Sequence, residues 1–374
     1  MKGGLADDRG FERDPTNIHG YKRGPAQVRA GLTFVYPTSL PTAMLSPIAL
    51  QLLALSIMLF SGGALVAQQG DSEQIRIDTV RTAAGGDFTV ERSQGIDPRF
   101  RPVIERLVRD GWPLEFVTGR FADKRTVFIP RMVNIKTRMP GASGGESRAA
   151  YAWVNTDESA QACQVFMRKY SGIFDMVETR YGVDRQTIAA LMRCETRHGS
   201  VTGDYHVFSV YASMSLMNER EYVSRNVDRA TRDLADASES YRKQEVARIR
   251  GRAASRSNWA YRELMNMLKI ERAGYADACG IYGSWAGAFG WGQFLPSSYL
   301  RRAVDGDSDG KIDLYNPHDV IPSVANYLSK AGYRIGDDAR RRRAIRSYNP
   351  STPYVESIIG LAARVHRSGD GDTR

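Results

Sequence analysis

Residues 184–198 read DRQTIAALMRCETRH, and the fold turns on how this stretch coils. Ile188, Leu191 and Met192 stand at i, i+3 and i+4, the spacing of an apolar stripe on an amphipathic helix. Asp184 is placed to cap the N-terminus by accepting from first-turn N–H groups, and Gly199 suits the stop. The next position on the stripe, i+7, is Glu195, whereas Arg193, Thr196 and Arg197 fall mostly off that face. A carboxylate on a buried face is costly unless it is paired or protonated. Desolvation raises a carboxyl pKa toward the range in which general-acid catalysis operates. A structural Glu paired with an interior Arg fits the same pattern, so the helix alone leaves both roles open.

Two stretches downstream bear on that choice. Residues 280–299, GIYGSWAGAFGWGQFLPSSY, alternate glycines with Tyr282, Trp285, Phe289, Trp291 and Phe294, with Gln293 as a neutral donor and acceptor among them. Glycine permits turns and close backbone approach, and aromatic rings offer flat apolar faces to sugars. A tightly packed glycine–aromatic junction reads the same way. Residues 305–319, DGDSDGKIDLYNPHD, place Asp305, Asp307 and Asp309 at positions 1, 3 and 5 of an EF-hand calcium loop, Gly310 at 6 and Ile312 at 8. Lys311 would lend its carbonyl. Position 12, normally a bidentate Glu, is Asn316, with Asp313 and Asp319 as nearby substitutes. The reading is calcium of modest affinity.

Outside these stretches the chain reads as mainly α. Phe100, Val103, Ile104, Leu107 and Val108 have helical spacing that Gly111 ends, and Leu114, Phe116, Val117 and Phe121 continue it. Residues 127–130 are short and extended, and 140–146 form a Gly/Ser-rich loop. Helical spacing returns through Phe166, Tyr170, Ile173, Phe174 and Val177. Residues 218–269 are dense in charge with a narrow stripe of Val223, Val227, Ala230 and Leu234, the pattern of a solvated helical pair. Tyr348, Asn349 and Tyr354 cluster about a proline turn, either a packed corner or a sugar-contacting wall.

The 374 residues suffice for two compact domains or for one with appendages. Cys163, Cys194 and Cys279 include no CxxC, and the five histidines are scattered, which argues against zinc. One disulfide with a free thiol, or three reduced buried thiols, are both open. No charged residue occurs between Arg29 and Asp71, and residues 48–60, IALQLLALSIMLF, followed by SGGALVA, have the length and flank of a signal-peptide core. Ala64 and Ala67 are cleavage candidates and Met44 a candidate start; an uncleaved anchor over 44–67 is the alternative. The expected organisation is an extension with signal peptide or anchor at 1–67, a linker at 68–93, and an accessory helical region at 94–150. The main domain follows at 151–366, with the charged helices inserted at 218–269, and a disordered tail covers 367–374. The net charge of +10 suits anionic polymers or head groups, and no DNA- or RNA-recognition motif accompanies it.

ETRHG at 195–199, GSWAGAFGWGQFLPSSY at 283–299, the DxDxDG loop with VANYL at 324–328, and AIRSYNPSTPY at 344–354 occur in one order. In that order they resemble the lytic murein transglycosylase B family over roughly residues 97–365. The resemblance implies a goose-lysozyme-like helical catalytic domain carrying an EF-hand-like calcium loop, with an additional helical region alongside. It implies non-hydrolytic cleavage of the MurNAc–GlcNAc β-1,4 bond of peptidoglycan, leaving 1,6-anhydro-MurNAc ends. Glu195 matches the family's single acid/base, the substrate N-acetyl group taking the place of a second carboxylate. Ser284, Gln293, Tyr327, Tyr348, Asn349 and Tyr354 match positions lining the glycan groove. Asp305, Asp307, Asp309, Lys311 and Asp319 are the expected ligands of a structural Ca²⁺, and catalysis needs no cofactor. The implied partners are peptidoglycan glycan strands and cell-wall assembly proteins, without nucleic acid, and with membrane contact only through an uncleaved N-terminal segment. The implied location is the bacterial periplasm or envelope. The chain departs from the family in its long basic spacer before Ser284, in His198 where an aromatic residue is common, and in the missing loop Glu.

Overall fold

The computed structural model describes residues 95–141 and 148–370, with side chains to residue 367, and the backbone of 78–81 and 87–90. The 1–67 extension with its apolar run, most of 68–93 and residues 371–374 lie outside the described residues. Within the stretch expected to be linker, Asp78–Arg81 (β1) and Asp87–Val90 (β2) pair antiparallel, Asp78 opposite Val90. Their Thr, Val and Phe content suits a strand.

The remainder is helical. Helix α1 (Arg101–Arg109) buries Val103, Ile104, Leu107 and Val108, and the chain turns at Gly111 before α2 (Leu114–Phe121), which buries Val117 and Phe121. Then follow α3 (Asp157–Lys169), α4 (Ser171–Tyr181), α5 (Arg185–Thr196) and α6 (Val207–Ser215). Helices α7 (Arg220–Asp233) and α8 (Glu239–Arg272) come next, then α9 (Pro296–Arg302), α10 (Pro317–Lys330), α11 (Asp338–Tyr348) and α12 (Thr352–Asp370). Helix α5 lies inside a ring of α3, α4, α10 and α12, which explains why Thr187 to Met192 are buried without a break. Its Asp184 cap accepts from Thr187 N at 2.8 Å.

Helix α6, VFSVYASMS, is buried at every position and packs on α8. Its serines answer a backbone need. Ser209 and Ser213, one turn apart, accept from Val127 N and Ile129 N at 2.9 Å each, holding the extended segment that sequence placed at 127–130. A strand edge that would otherwise lie unpaired against a helix is satisfied in this way. Phe121 meets Phe208 edge-on at 5.2 Å, so 95–141 shares one core with the rest.

The charged segment 218–269 forms the expected helical pair, α7 packed on α8, but α8 has an embedded face that its composition did not suggest. Helix α8, about 51 Å long at 1.5 Å per residue, buries Ile249, Ala253, Tyr261, Leu264, Met267 and Leu268. Its 34 residues alternate an embedded face with an arginine-rich one, and charge count alone hides the first. Buried Glu263 accepts from Ser297 N at 2.8 Å and so caps α9 from outside. The three cysteines are buried and form no disulfide, and burial pushes the Cys163 and Cys279 thiols up to about 12.

Candidate active site

Glu195 occupies the last turn of α5 and is half-buried. The Tyr354 hydroxyl donates to Glu195 Oε1 at 2.7 Å. Tyr354 is fully enclosed, and burial, with the Glu195 charge beside it, holds its phenol well above the usual range. It therefore stays a donor at any pH the protein meets. Tyr151, which sequence reasoning passed over, meets the Tyr354 ring edge-on at 5.9 Å and fixes its plane.

The helix ends abruptly after Glu195. Arg197, His198 and Gly199 all have positive φ, at 52°, 57° and 88°, and His198 N returns to Met192 O at 3.1 Å. A Cβ on Gly199 would stand 2.3 Å from the Trp291 ring, so only glycine fits the position. Thr196, expected off the buried face, is 1% exposed. It follows buried Ala189 and Met192 on a second enclosed side of α5, where its hydroxyl donates to Trp291 O at 2.7 Å and accepts from Gly199 N at 2.9 Å. His198 takes the aromatic role that the family pattern led us to expect there. Its ring stacks on Phe166 at 4.2 Å and 11°, and Nε2 donates to Ala189 O at 3.0 Å. Desolvation lowers its pKa to about 4 and keeps it neutral.

The glycine–aromatic stretch folds against this terminus. Tyr205–His206 (β3) pairs antiparallel with Tyr282–Gly283 (β4), and bridges Gly283–Phe289 and Phe289–Phe294 extend the small sheet. The backbones crowd: a Cβ on Gly283 would meet Ala288 O at 2.1 Å. Ser284 Oγ accepts from Ala288 N at 3.1 Å and so closes its own turn. Gln293, 7% exposed with φ 51°, donates from Nε2 to Thr202 O and Gly290 O at 3.1 Å each, tying the loop after Gly199 to this hairpin. Tyr348 donates to Gly292 O, its ring lies 4.6 Å from Tyr327, and Tyr327 donates to Ser347 O at 2.8 Å. Asn349 Oδ1 accepts from Ser351 N at 3.2 Å where α11 gives way to α12. Ring contact joins Tyr327 to Tyr348, and the Tyr348 hydroxyl joins both to Gly292, the residue before Gln293, while Asn349 follows Tyr348 at the end of α11. Thr202 and Tyr151 carried no sequence signal, whereas Trp291, read as one of the aromatic faces of 280–299, serves here as the backbone acceptor of Thr196.

The acidic loop gathers Asp305, Asp307 and Asp319, with one carboxylate oxygen of each within 4.8 Å of the others. Asp309 is outside that cluster and accepts from Lys311 N at 2.8 Å. Asp319 is 1% exposed, and burial, with Asp305 and Asp307 beside it, raises its pKa, although Gly306 N and Asp313 N donate to it. Asn316 donates to Asp307 Oδ2 at 3.0 Å and caps α10, and Asp319, three residues on, is the third carboxylate of the cluster. Three hard oxygen donors crowded at a buried carboxylate fit a divalent cation of the calcium type.

A central helix ending in a carboxylate and faced by a small antiparallel sheet is a lysozyme-like arrangement. Solved structures share it: lytic transglycosylase Slt35 of Escherichia coli in complex with calcium matches with a TM-score of 0.53 and 19% identity, covering 78% of this chain and 96% of that one. SltB3 of Pseudomonas aeruginosa in complex with NAG-anhNAM-pentapeptide matches with a TM-score of 0.54 and 19% identity, over 73% and 80%. In sequence, membrane-bound lytic murein transglycosylase B of Escherichia coli strain K12 is 30% identical over 182 residues, 49% of this chain and 41% of that protein. The chain thus spans about two fifths of the length of that relative. The transglycosylase SLT domain profile matches residues 105–342, and the chain belongs to that family.

Proposed function

We propose that the protein is a lytic transglycosylase of peptidoglycan, and the observation that carries the reading is the Glu195–Tyr354 pair at the end of α5. Protonated Glu195 gives its proton to the glycosidic oxygen as the bond to MurNAc C1 breaks. The substrate N-acetyl group stabilises the oxocarbenium-like centre. The Glu195 carboxylate then takes the proton of the C6 hydroxyl as O6 bonds to C1. The product is a 1,6-anhydro end, no water is consumed, and Glu195 regains its proton. Tyr354 holds the carboxylate in place through both steps. The faces of Tyr327 and Tyr348 would seat sugar rings, and Asn349, Gln293 and Ser284 would hold the acetamido group and the reactive ring.

Asp305, Asp307 and Asp319, with Asp309 and the Lys311 carbonyl, would hold a structural Ca²⁺ whose charge relieves the crowding of carboxylates. The substrate places the enzyme in the bacterial periplasm or envelope, exported by the N-terminal apolar run. Glycan strands are its partner, cell-wall assembly proteins a further class.

Mass spectrometry of purified peptidoglycan digested by the protein tests the reading. Products lighter than hydrolytic ones by one water, lost in Glu195→Gln with an unchanged thermal melt, are expected. Reducing MurNAc ends would make the enzyme a hydrolytic muramidase. No release by the folded wild-type protein with calcium present would leave a wall-binding scaffold, and full activity in the variant would remove Glu195 from the chemistry.

A further inference from the structure

Helix α8 keeps its carboxylates off its surface. Between Gln244 and Ile270 its acids are Glu245 and Glu263, each 4% exposed. Both are engaged: Glu245 accepts from Arg248 and from Arg138 N, and Glu263 caps α9. Arg250, Arg262 and Lys269 stand exposed over the same stretch.

Toward the C-terminal end of α8 these charges gather with those of two neighbouring helices. Arg262 and Lys269, seven residues apart, share one helix face. From α1, Arg106 lies over the Tyr261 ring at 3.7 Å, and the charge of exposed Arg109 reaches the same phenol. From α9, the charge of exposed Arg301 reaches buried Glu263. Arg262 therefore projects between cations from either flank, and Arg272, 5.4 Å from the centre of the Trp112 ring, extends the row. Asp110, the acid beside Tyr261, is engaged by its hydroxyl at 2.7 Å.

The setting of this ridge indicates its partner. From Arg262 to Arg272 it runs about 15 Å along α8, with cations on long flexible stems, which suits a plane of anions. Where α8 ends, Tyr275 and Leu300 stand 40% and 38% exposed, Tyr275 with its ring 6.5 Å from buried Tyr299 and Leu300 next to Tyr299 in sequence. An amphipathic ring and an aliphatic side chain beside Lys and Arg suit the interface of a bilayer. The chain also enters the helical domain near this end of α8. A Cβ on Gly95 would lie 3.9 Å from Ala122 O at the close of α2, and Arg120 of α2 pairs with Glu271. The stretch bearing the apolar run 48–60 is joined to the domain there, so a membrane holding that run has the ridge within reach.

We infer that the ridge formed by α1, α8 and α9 docks on the anionic phospholipid surface of a membrane and orients the helical domain upon it. The inference stands whether or not Glu195 cleaves a glycan.

Acylation of lysines in the full protein tests the docking, with vesicles of phosphatidylcholine alone or mixed with phosphatidylglycerol. Both vesicles admit an N-terminal anchor, so a difference between them belongs to the ridge. Labelling of Lys269 is expected to slow by about tenfold or more in the mixed vesicles, several cations meeting the charged surface together. It should recover as salt is raised. Lys169, exposed on α3, should label equally in both. Arg109→Glu combined with Arg301→Glu should restore the labelling of Lys269 at an unchanged thermal melt, whereas Lys at both positions should keep the protection. Equal labelling of Lys269 by wild type in the two vesicles overturns the docking, as does protection of Lys169 to the same degree. Protection of Lys269 by purified peptidoglycan but not by the mixed vesicles would assign the ridge to the wall and overturn the lipid reading.

Discussion

A phenol that cannot ionise, beside the carboxylate proposed to change protonation state, gives Tyr354 a narrow task. It donates to Glu195 Oε1 at 2.7 Å, so in the proposed reaction it would orient the acid and take no proton itself. Tyr354→Phe keeps the ring, its contact with Tyr151 and the packing of α12, and removes only the donor. A hydrogen bond to a charged group contributes about 1.5–3 kcal/mol, so anhydro-product formation should fall by about ten- to a hundredfold in kcat with little change in KM. A rise in KM with kcat intact would make Tyr354 a substrate-binding residue. At this scale the sequence was partly legible. Glu195 was exposed by its place on an apolar stripe, but its partner lies 159 residues away, and only the family resemblance pointed there. Thr196 was misplaced because the apolar stripe marks one face only, whereas α5 is enclosed on several sides and Thr196 follows buried Ala189 and Met192 on a second one.

Elements show the same division between local and distant causes. The caps and amphipathic stripes of α1 and α5 were readable because each depends on neighbours in sequence. Helix α6 was not read at all, because a segment buried all round has no polar face to give it a period. The embedded face of α8 was masked by its arginines. Between elements, His198 pins α3 to the end of α5 through its stack on Phe166, and the stack has a pH signature. The folded pKa of about 4 lies below the usual 6.5, so the folded state resists a proton that the unfolded chain accepts. The stabilisation is complete above about pH 6.5 and is lost as pH falls toward 4, by up to about 3 kcal/mol. His198→Phe keeps an aromatic ring on Phe166 and should flatten that part of a melting-temperature profile. The slope left over belongs partly to buried His206, whose pKa is lowered too. An identical slope in the variant would show that His198 is not the group being titrated.

Over the whole molecule, the acidic loop is where sequence pattern and long-range packing meet. Its DxDxDG spacing was visible, and of the two carboxylates that sequence offered in place of the missing Glu, Asp319 is the one that clusters with Asp305 and Asp307. Its bracing could not be foreseen. Trp291 N donates to Leu314 O at 2.9 Å, Tyr315 donates to Tyr282 O, and Tyr299 donates to Ile312 O at 2.7 Å. The backbone that leaves the loop is therefore the backbone against which β4 and Trp291 rest, and Trp291 in turn holds Thr196 beside Glu195. Removing a bound cation leaves Asp305, Asp307 and Asp319 to repel one another at a buried site. The chain can relieve this only by opening the loop or by protonating Asp319. Chelation should therefore lower the melting temperature by about 5 °C or more at saturating initial calcium. It should also speed hydrogen exchange at the Trp291 amide, which lies outside the loop. Asp319→Asn removes the buried charge and should abolish the calcium-dependent shift, while retaining an oxygen that can accept from Gly306 N. A melt and an exchange rate both indifferent to chelation would reduce the loop to an acidic turn. A shifted melt with unchanged Trp291 exchange would confine the ion's effect to the loop and cut its link to the catalytic helix.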